Sequence, residues 1–227
     1  MTASVHMAIP KAGPILEWTT SQGNLAVLKA NRDRLCSQRK SVPTRGPLPV
    51  KILLTEEQIR QGVNHMAQNV ARVYSDRSLS IIGILTGSIM IVSDLVRRLD
   101  IPVRIGFLRA SSYRGNSTSP GELAVNADLL PDVTGRDVLL VDDIFDTGRT
   151  MQTLLKRLDS MGAKSVRSLV LLRKHGRKEV DIEPDHVIFD IPNAFVVGYG
   201  LDFEDAYRHL PYVAVLEEHD LAQGPPQ

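Results

Sequence analysis

One stretch decides the fold of this chain: Val138-Leu139-Leu140-Val141-Asp142-Asp143-Ile144-Phe145-Asp146-Thr147-Gly148-Arg149-Thr150. It opens with four apolar residues, two of them β-branched, which is typical of a strand buried on both faces. Two adjacent carboxylates stand at the carboxyl end of this run, and a third, Asp146, opens the turn that follows. The stretch therefore predicts a buried strand with an acidic tip, then a tight turn and a helix.

The turn after the acids has the composition of a phosphate-binding loop. Gly148 allows a tight turn with positive φ. The hydroxyls of Thr147 and Thr150 and a run of free backbone N–H groups then face outward at a helix N-terminus, where anions bind. Acids beside such a loop predict a sugar phosphate as the ligand, with the carboxylates on its hydroxyls or on a metal.

From residue 50 onward, strand and helix patterns alternate. A capping box at residues 55–58 begins the first helix. The hydrophobic patterns predict helices over 59–73, 89–99 and 151–161, and strands over 80–85, 103–108, 138–141 and 166–172. This alternation predicts an α/β fold, a parallel twisted sheet core flanked by helices. Ligands of such sheets collect at the carboxyl ends of the strands, so the loops at Thr86, Asp142 and Lys174 should converge on one site.

Two segments lack this periodicity. Residues 111–126 are rich in Ser, Gly, Asn and Pro and predict a long loop, which is usually functional or mobile at that length. Residues 1–49 hold five prolines and mostly basic charges. We interpret them as an N-terminal extension that is disordered or loosely packed, or as an overlong start of translation, with an organelle transit peptide as the alternative. Residues 50–227 are then the folded domain.

The composition predicts a soluble enzyme in a reducing compartment. Of the 227 residues, 43% are hydrophobic, and the formal net charge of +1 indicates neither a nucleic-acid nor a membrane partner. The single cysteine, Cys36, excludes an internal disulfide and a multi-cysteine zinc site. No apolar run reaches the ~20 residues that span a bilayer, and the N-terminus shows no secretory pattern. We therefore expect a cytoplasmic protein.

The acidic strand and its turn resemble the signature loop of the phosphoribosyltransferases, which bind 5-phosphoribosyl-1-pyrophosphate (PRPP). Later segments extend the resemblance to the hypoxanthine/guanine branch of this type I family, over roughly residues 50–219. They are a lysine strand end, Leu172-Arg173-Lys174-His175, the segment Phe195-Val196-Val197-Gly198-Tyr199-Gly200-Leu201-Asp202, and the downstream Arg208. The resemblance implies a five-stranded parallel core with a small hood subdomain. It also implies transfer of the 5-phosphoribosyl group to N9 of hypoxanthine or guanine, with release of pyrophosphate, in purine salvage.

The resemblance assigns roles to the three acids. Asp142 and Asp143 match the two acids that hold the ribose 2′ and 3′ hydroxyls, directly or through Mg²⁺. Asp142 replaces the more common glutamate and is one methylene shorter, so a water or metal can bridge the gap. Asp146 matches the general acid/base that exchanges a proton with N7 of the purine. A positioned acid or base typically contributes ~10²–10⁴ in rate.

The remaining matches surround the substrates. The 5′-phosphate loop corresponds to Thr147, Gly148, Arg149 and Thr150. Lys174 matches the lysine that contacts the purine O6, which favours 6-oxopurines because the 6-amino group of adenine cannot accept a bond. Phe195 matches the ring that stacks on the base, and Val196 matches a residue whose backbone carbonyl meets a 2-amino group.

Other matches concern pyrophosphate and metal. Asp202 matches a second metal ligand, and Arg208 matches a pyrophosphate contact. Thr86 and Gly87 match the pyrophosphate loop, where relatives often carry Lys or Arg at the position of Thr86, so backbone N–H groups must suffice here. In the long loop, Ser112 and Tyr113 match a flexible lid that would exclude water from the reacting ribosyl group.

Three alternatives stay open. The acids of Asp142-Asp143-x-x-Asp146 also match prenyl-chain synthases, although those acids lie on long helices and Gly148 and a β-branched run speak against a helix here. A PRPP- or purine-sensing regulator that binds nucleic acid could use the same fold, although residues 1–49 show no helix-turn-helix pattern. A third is transfer to xanthine or a pyrimidine. The resemblance also implies a homodimer or homotetramer.

Overall fold

The structure is a computed structural model, and it describes residues 51–112 and 123–225. The chain divides into two units, Met1–Arg45 and Gly46–Gln227, and all described residues belong to the second. The predicted N-terminal extension at 1–49 lies outside the described residues. Within them, no helix is long and apolar enough to cross a membrane.

The first helix begins where the sequence predicts it. Thr55 is the N-cap of α1 (Glu56–Tyr74), and its side chain and that of Gln58 form a reciprocal capping box. Two acids in the first turn complement the helix dipole. The buried side chains follow helical spacing and include Ile59, Val63 and Val70. The helix therefore presents one continuous apolar face to the sheet.

The remaining elements alternate along the chain. The strands are β1 (Lys51–Leu54), β2 (Leu79–Leu85), β3 (Val103–Ser112), β4 (Leu123–Asn126), β5 (Asp137–Phe145), β6 (Ser165–Lys174), β7 (His186–Ile191), β8 (Phe195–Val197) and β9 (Val213–Leu216). The other helices are α2 (Ile89–Val96), α3 (Arg149–Ser160) and α4 (Glu218–Gln223).

The large sheet has the strand order β4-β3-β2-β5-β6-β7. Five of its strands, β3, β2, β5, β6 and β7, are mutually parallel, and β4 pairs antiparallel with β3 at one edge. The five-stranded parallel core implied by the resemblance is therefore present. Because β5 lies near the middle of the sheet, its carboxyl end has neighbouring strand ends on both sides.

Strand β5 is buried on both faces. Leu139 and Val141 belong to the apolar cluster that contains α1 and α2 residues. Val138 and Leu140 belong to the opposite cluster, which contains the inner face of α3. All four side chains are 0% exposed. This alternation confirms the prediction from the four-residue apolar run.

A second, smaller sheet forms the hood. It has the order β1-β9-β8, and all its pairs are antiparallel. Val197, Tyr207, Leu210 and Leu216 form a separate apolar cluster beneath it. The sheet carries the segment to which the family resemblance assigns base recognition.

The long-loop prediction over 111–126 is wrong at both of its ends. Strand β3 continues to Ser112, and β4 returns along it with Ser112 opposite Leu123. Backbone pairing of a hairpin therefore overrides the low strand propensity of Ser and Asn. Helix α2 is also shorter than predicted, because it ends at Val96 and Leu99 lies beyond it.

Candidate active site

The acidic pair lies in the final residues of β5. The backbone N–H of Asp143 donates to Oδ1 of Asp142 at 3.0 Å. Burial raises the pKa of Asp142 well above its ordinary value, and the neighbouring charge of Asp143 raises it further. Burial likewise raises the pKa of Asp143. Two carboxylates that are costly to ionise side by side gain from a bound cation or from hydroxyl donors.

The turn after β5 is shaped for an anion. Gly148 has φ +83° and is the N-cap of α3, and no side chain of the described residues caps this helix start. The first N–H groups of the helix are therefore available to a ligand. A Cβ on Gly148 would come 2.5 Å from Val180 Cγ2. A cavity of about 260 Å³ lies here, and Thr147 and Thr150 are among the residues that line it.

Asp146 stands between this turn and two cations. Its Oδ2 is 3.7 Å from Lys174 Nζ at the end of β6. Its Oδ1 accepts from Arg177 Nε at 2.9 Å. The structure thus brings Asp146 and Lys174 together, as the strand order requires, since β6 is the neighbour of β5. Arg177 was not identified from the sequence, where its signal is a further basic residue in the loop that follows the lysine strand end.

The loop after β6 also contacts the turn that joins β5 to α3. The N–H of Glu179 donates to the carbonyl of Thr147 at 2.9 Å. The carboxylate of Glu179 pairs with Arg149 Nη2 at 2.6 Å. The side chain of Arg149 is therefore held at the rim, and its backbone N–H belongs to the helix start. Glu179 was not identified from the sequence either, because nothing local marks it.

The loop after β2 touches the acidic pair directly. The Leu85–Thr86 peptide bond is cis. A Cβ on Gly87 would come 1.5 Å from Asp143 Oδ2, so any larger residue here would displace that carboxylate. The side chain of Thr86 is exposed. Convergence of the β2 loop on the acids of β5 follows the prediction from the parallel sheet.

The hood reaches the same point from the other side. A Cβ on Gly200, which has φ +101°, would come 2.0 Å from the carbonyl oxygen of Gly87. Arg208 donates from Nη1 to the carbonyl of Gly200 at 2.8 Å and pairs through Nη2 with Asp202 Oδ1 at 2.9 Å. The charge of Arg208 also acts to lower the pKa of Asp143, against the larger effect of burial. Asp202 and Arg208 thus lie together beside the acids.

The two base-recognition candidates open β8. The ring of Phe195 is 42% exposed and meets Phe203 edge to face, with centroids 5.5 Å apart. An exposed aromatic face on a structured strand is suited to stacking a planar ligand. Val196 is buried, and its backbone pairs with Val215 on β9.

The donor set suits a hard divalent cation that also binds phosphate oxygens. Asp142 and Asp143 offer carboxylates whose mutual repulsion a cation would relieve. Asp202 is already paired with Arg208. No group of three or more metal-binding side chains is present in the described part of the chain. Mg²⁺ typically takes one or two protein carboxylates and completes its shell with substrate phosphates and water, so the residues present fit it.

The predicted lid is only partly covered. Ser112 ends β3 and pairs through its backbone with Leu123. Tyr113 lies outside the described residues, and so does most of the loop it begins. The lid prediction therefore stays a prediction.

Comparison with known proteins gives consistent relatives. The model of the phosphoribosyl transferase domain matches residues 49–204. A hypoxanthine-guanine phosphoribosyltransferase of Staphylococcus epidermidis is 40% identical over 166 residues, which is 73% of this chain and 93% of the relative. A bifunctional protein TilS/HprT of Listeria monocytogenes is 38% identical over 167 residues, which is 74% of this chain. The chain spans only 26% of that longer relative.

Solved structures agree with these relatives. A hypoxanthine phosphoribosyltransferase from Staphylococcus aureus superposes with a TM-score of 0.71 at 38% identity, over 75% of this chain and 93% of that one. A hypoxanthine phosphoribosyltransferase from Trypanosoma cruzi gives a TM-score of 0.70 at 37% identity, over 75% and 97% of the two chains.

Proposed function

This chain belongs to the phosphoribosyltransferase family, and from that membership we propose that it is a hypoxanthine-guanine phosphoribosyltransferase of purine salvage. It transfers the 5-phosphoribosyl group of PRPP to N9 of hypoxanthine or guanine and releases pyrophosphate, giving IMP or GMP. One observation carries the proposal: Asp146 sits between the anion-shaped turn of α3 and the ammonium group of Lys174. A sugar phosphate and a 6-oxopurine would meet there.

The phosphate end of PRPP binds at the start of α3. The N–H groups of residues 147–150 and the hydroxyls of Thr147 and Thr150 hold the 5′-phosphate, and the helix dipole favours its negative charge. The Glu179 contacts hold the rim of this turn in place. Because these groups are arranged before the ligand arrives, binding costs little reorganisation.

The reacting sugar lies over the acidic pair. Asp142 and Asp143 hold the ribose hydroxyls, directly or through Mg²⁺, and their charge stabilises the positive charge that develops on the ribosyl ring. A Mg²⁺ ion held by Asp142 and Asp143 would neutralise charge on the leaving pyrophosphate. Asp202 and Arg208 lie on the pyrophosphate side of the same point. Thr86 and Gly87 contribute backbone N–H groups there.

The residues around the purine base carry out proton exchange and base selection. Asp146 takes the proton from N7 as N9 forms its bond to the sugar. Lys174 donates to O6, which adenine lacks, and so it selects 6-oxopurines. Phe195 stacks on the base, and the carbonyl of Val196 meets the 2-amino group of guanine. Arg177, which now pairs with Asp146, must yield part of that contact when the base binds.

The regulatory alternative receives no support from the relatives described above, which are named as transferases or as a bifunctional protein that includes HprT. We further propose that the protein acts in the cytoplasm as a homodimer or homotetramer. Ile89 and Met90, each 37% exposed at the start of α2, offer an apolar surface next to the Thr86–Gly87 loop that a second copy could cover. Sedimentation or mass photometry of the purified protein measures this state.

The direct test is a release assay. Pyrophosphate is followed with hypoxanthine, guanine, xanthine and adenine in separate reactions, each with PRPP and Mg²⁺. We expect release with hypoxanthine or guanine and none with adenine. Absence of pyrophosphate with all four bases would contradict the proposal, and salt-dependent retention of DNA or RNA would then favour the regulator.

A further inference from the structure

A buried side-chain bond joins the hood to helix α2. Tyr199 lies between Gly198 and Gly200 in the hood, has φ +48° and is 8% exposed. Its hydroxyl donates to Oδ2 of Asp94 on α2 at 2.7 Å. None of the steps described above uses either residue.

The acceptor is held in place from its own side. The other carboxylate oxygen of Asp94 accepts from Arg97 and, at 3.3 Å, from Arg98. Arg98 also donates to the backbone carbonyl of Asp94 at 2.6 Å and to the side chain of Asn64 on α1. Burial acts to raise the pKa of Asp94, but the hydrogen bonds from Tyr199, Arg97 and Arg98 together lower it. Tyr199 therefore donates to an ionised, fixed carboxylate, which is the stronger kind of hydrogen bond.

On the hood side, backbone contacts connect Tyr199 to the residues at the pyrophosphate end of the site. The backbone N–H of Tyr199 donates to the backbone carbonyl of Leu210 at 2.8 Å. The backbone N–H of Gly200 donates to the backbone carbonyl of Arg208 at 3.0 Å. Gly200 packs against the carbonyl of Gly87. The carbonyl of Gly200 also accepts from the guanidinium of Arg208 at 2.8 Å. A displacement of the Tyr199 backbone would therefore move both contacts of Gly200.

On the α2 side, a backbone hydrogen bond connects the helix to the Thr86–Gly87 loop. The N–H of Ile89, the first residue of α2, donates to the carbonyl of Thr86 at 3.2 Å. The Thr86–Gly87 loop is thus continuous with the helix that carries Asp94. The Tyr199–Asp94 bond closes a ring that runs through α2, Gly87, Gly200 and back to Tyr199.

We infer that Tyr199 is a positioning residue for the pyrophosphate group of PRPP, acting through its bond to Asp94, which keeps Gly200 on Gly87 and Arg208 in place. The inference rests on the proposed function, since it assigns a residue to one substrate of that reaction. Its consequence is selective: the bond supports the pyrophosphate end, and within residues 51–112 and 123–225 neither side chain hydrogen-bonds to the turn at 147–150 or to Lys174.

The test compares two Tyr→Phe variants in the same hood. Tyr199→Phe should raise KM for PRPP about tenfold, the size expected when a hydrogen bond to a charged group is lost. KM for hypoxanthine should stay within about twofold, since the base end keeps its contacts. The matched control is Tyr207→Phe, because Tyr207 is equally buried at 8% and its hydroxyl makes no hydrogen bond within the described residues. We expect both of its KM values to match the wild type.

A second variant keeps the test decisive if Tyr199→Phe does not fold. Asp94→Asn should also raise KM for PRPP selectively. The double variant should have the same KM for PRPP as Asp94→Asn alone, because Asp94→Asn already weakens the bond that Tyr199→Phe removes. An unchanged KM for PRPP in a folded Tyr199→Phe, or an equal rise in both KM values, would overturn the inference. If only Asp94→Asn folds, an unchanged KM for PRPP in that variant would overturn it.

A wild-type protein that releases no pyrophosphate with any purine would contradict the proposed function without deciding this inference. Calorimetry with magnesium pyrophosphate then decides it. Weaker binding to Tyr199→Phe than to the wild type supports the positioning role, and equal binding overturns it.

Discussion

The phosphate end and the pyrophosphate end of this site are built in different ways. The phosphate end is formed by one continuous stretch, in which the acidic end of strand β5 is followed by the turn at Gly148 and the start of α3. The pyrophosphate end is assembled from three segments that are distant in sequence, with Gly87, Asp143 and Gly200 stacked on one another. A local motif positions its own groups, whereas an assembled site depends on the contacts between its parts.

This difference predicts where substitutions act. Changes in the local stretch should alter chemistry or phosphate binding while leaving the fold intact. Changes in the stacked glycines should alter the fold first, because a Cβ there meets backbone or a fixed carboxylate instead of open space. Kinetic constants and unfolding free energies of single-site variants separate these two behaviours.

The largest effect is expected at Asp146. Asp146→Asn removes the group that exchanges a proton with N7, and kcat should fall by on the order of 10²-fold. The melting temperature should change little, since Asp146 caps no helix and is a partly exposed ion-pair residue. Asp159→Asn on the exposed side of α3 is the control and should turn over normally. Near-normal kcat in Asp146→Asn would contradict the assigned role.

The stacked glycines should respond through stability. Gly200→Ala adds a Cβ 2.0 Å from the backbone of Gly87 at φ +101°, and the free energy of unfolding should fall by ~1–3 kcal/mol or more. Gly176→Ala is the matched control, because its φ is +76° but nothing lies within 4 Å of the new Cβ. Its loss should be about 1–2 kcal/mol, from the backbone conformation alone, and smaller than the loss in Gly200→Ala, which adds the clash with Gly87. Equal losses in urea titrations of the two variants would show that the contact with Gly87 is unimportant.

Lys174 tests the base end. Lys174→Met removes the cation that donates to O6, so KM for hypoxanthine should rise about tenfold, with KM for PRPP much less affected. Lys178→Met makes the same change in the loop that follows, where Nζ pairs with Glu183 at 2.7 Å. That control should keep both KM values. Parallel changes in the two variants would point to a general charge effect instead of recognition of O6.

The smallest effect is a change in the pH dependence of stability at the acidic pair. Because burial and Asp143 raise the pKa of Asp142 in the folded protein, the stability that this group contributes is present at acid pH. It is lost as pH rises from the unfolded value through the raised folded one. Asp142→Asn cannot ionise, so its stability relative to the wild type should increase as pH rises above the ordinary carboxyl range, in the absence of metal. A wild type that gains on the variant over that range would contradict this sign.

The sequence predicted the local part of this molecule well. The apolar run at 138–141, the capping box at Thr55 and the turn at Gly148 are short-range signals, and each appears where the sequence places it. Convergence of the β2, β5 and β6 loops followed from parallel pairing alone. These features need no knowledge of how distant side chains meet.

The sequence missed what depends on long-range contacts. The pairing of Arg177 with Asp146 and of Glu179 with Arg149 arises because the loop after β6 folds back over its neighbour. The Tyr199–Asp94 bond joins residues that are 105 positions apart. Strands β3 and β4 pair through their backbones, and their Ser- and Asn-containing sequence does not predict this pairing. In each case the contact depends on a partner that is distant in sequence, so the residue and its neighbours in the chain do not predict it.

The binding of the ribose 5′-phosphate by the turn between β5 and α3 can be observed in a crystal structure with GMP. We expect the phosphate on the N–H groups of residues 147–150, with the guanine ring on Phe195 and its O6 at Lys174. A phosphate bound elsewhere on the protein, with this turn unoccupied in the nucleotide complex, would show that the turn has another role.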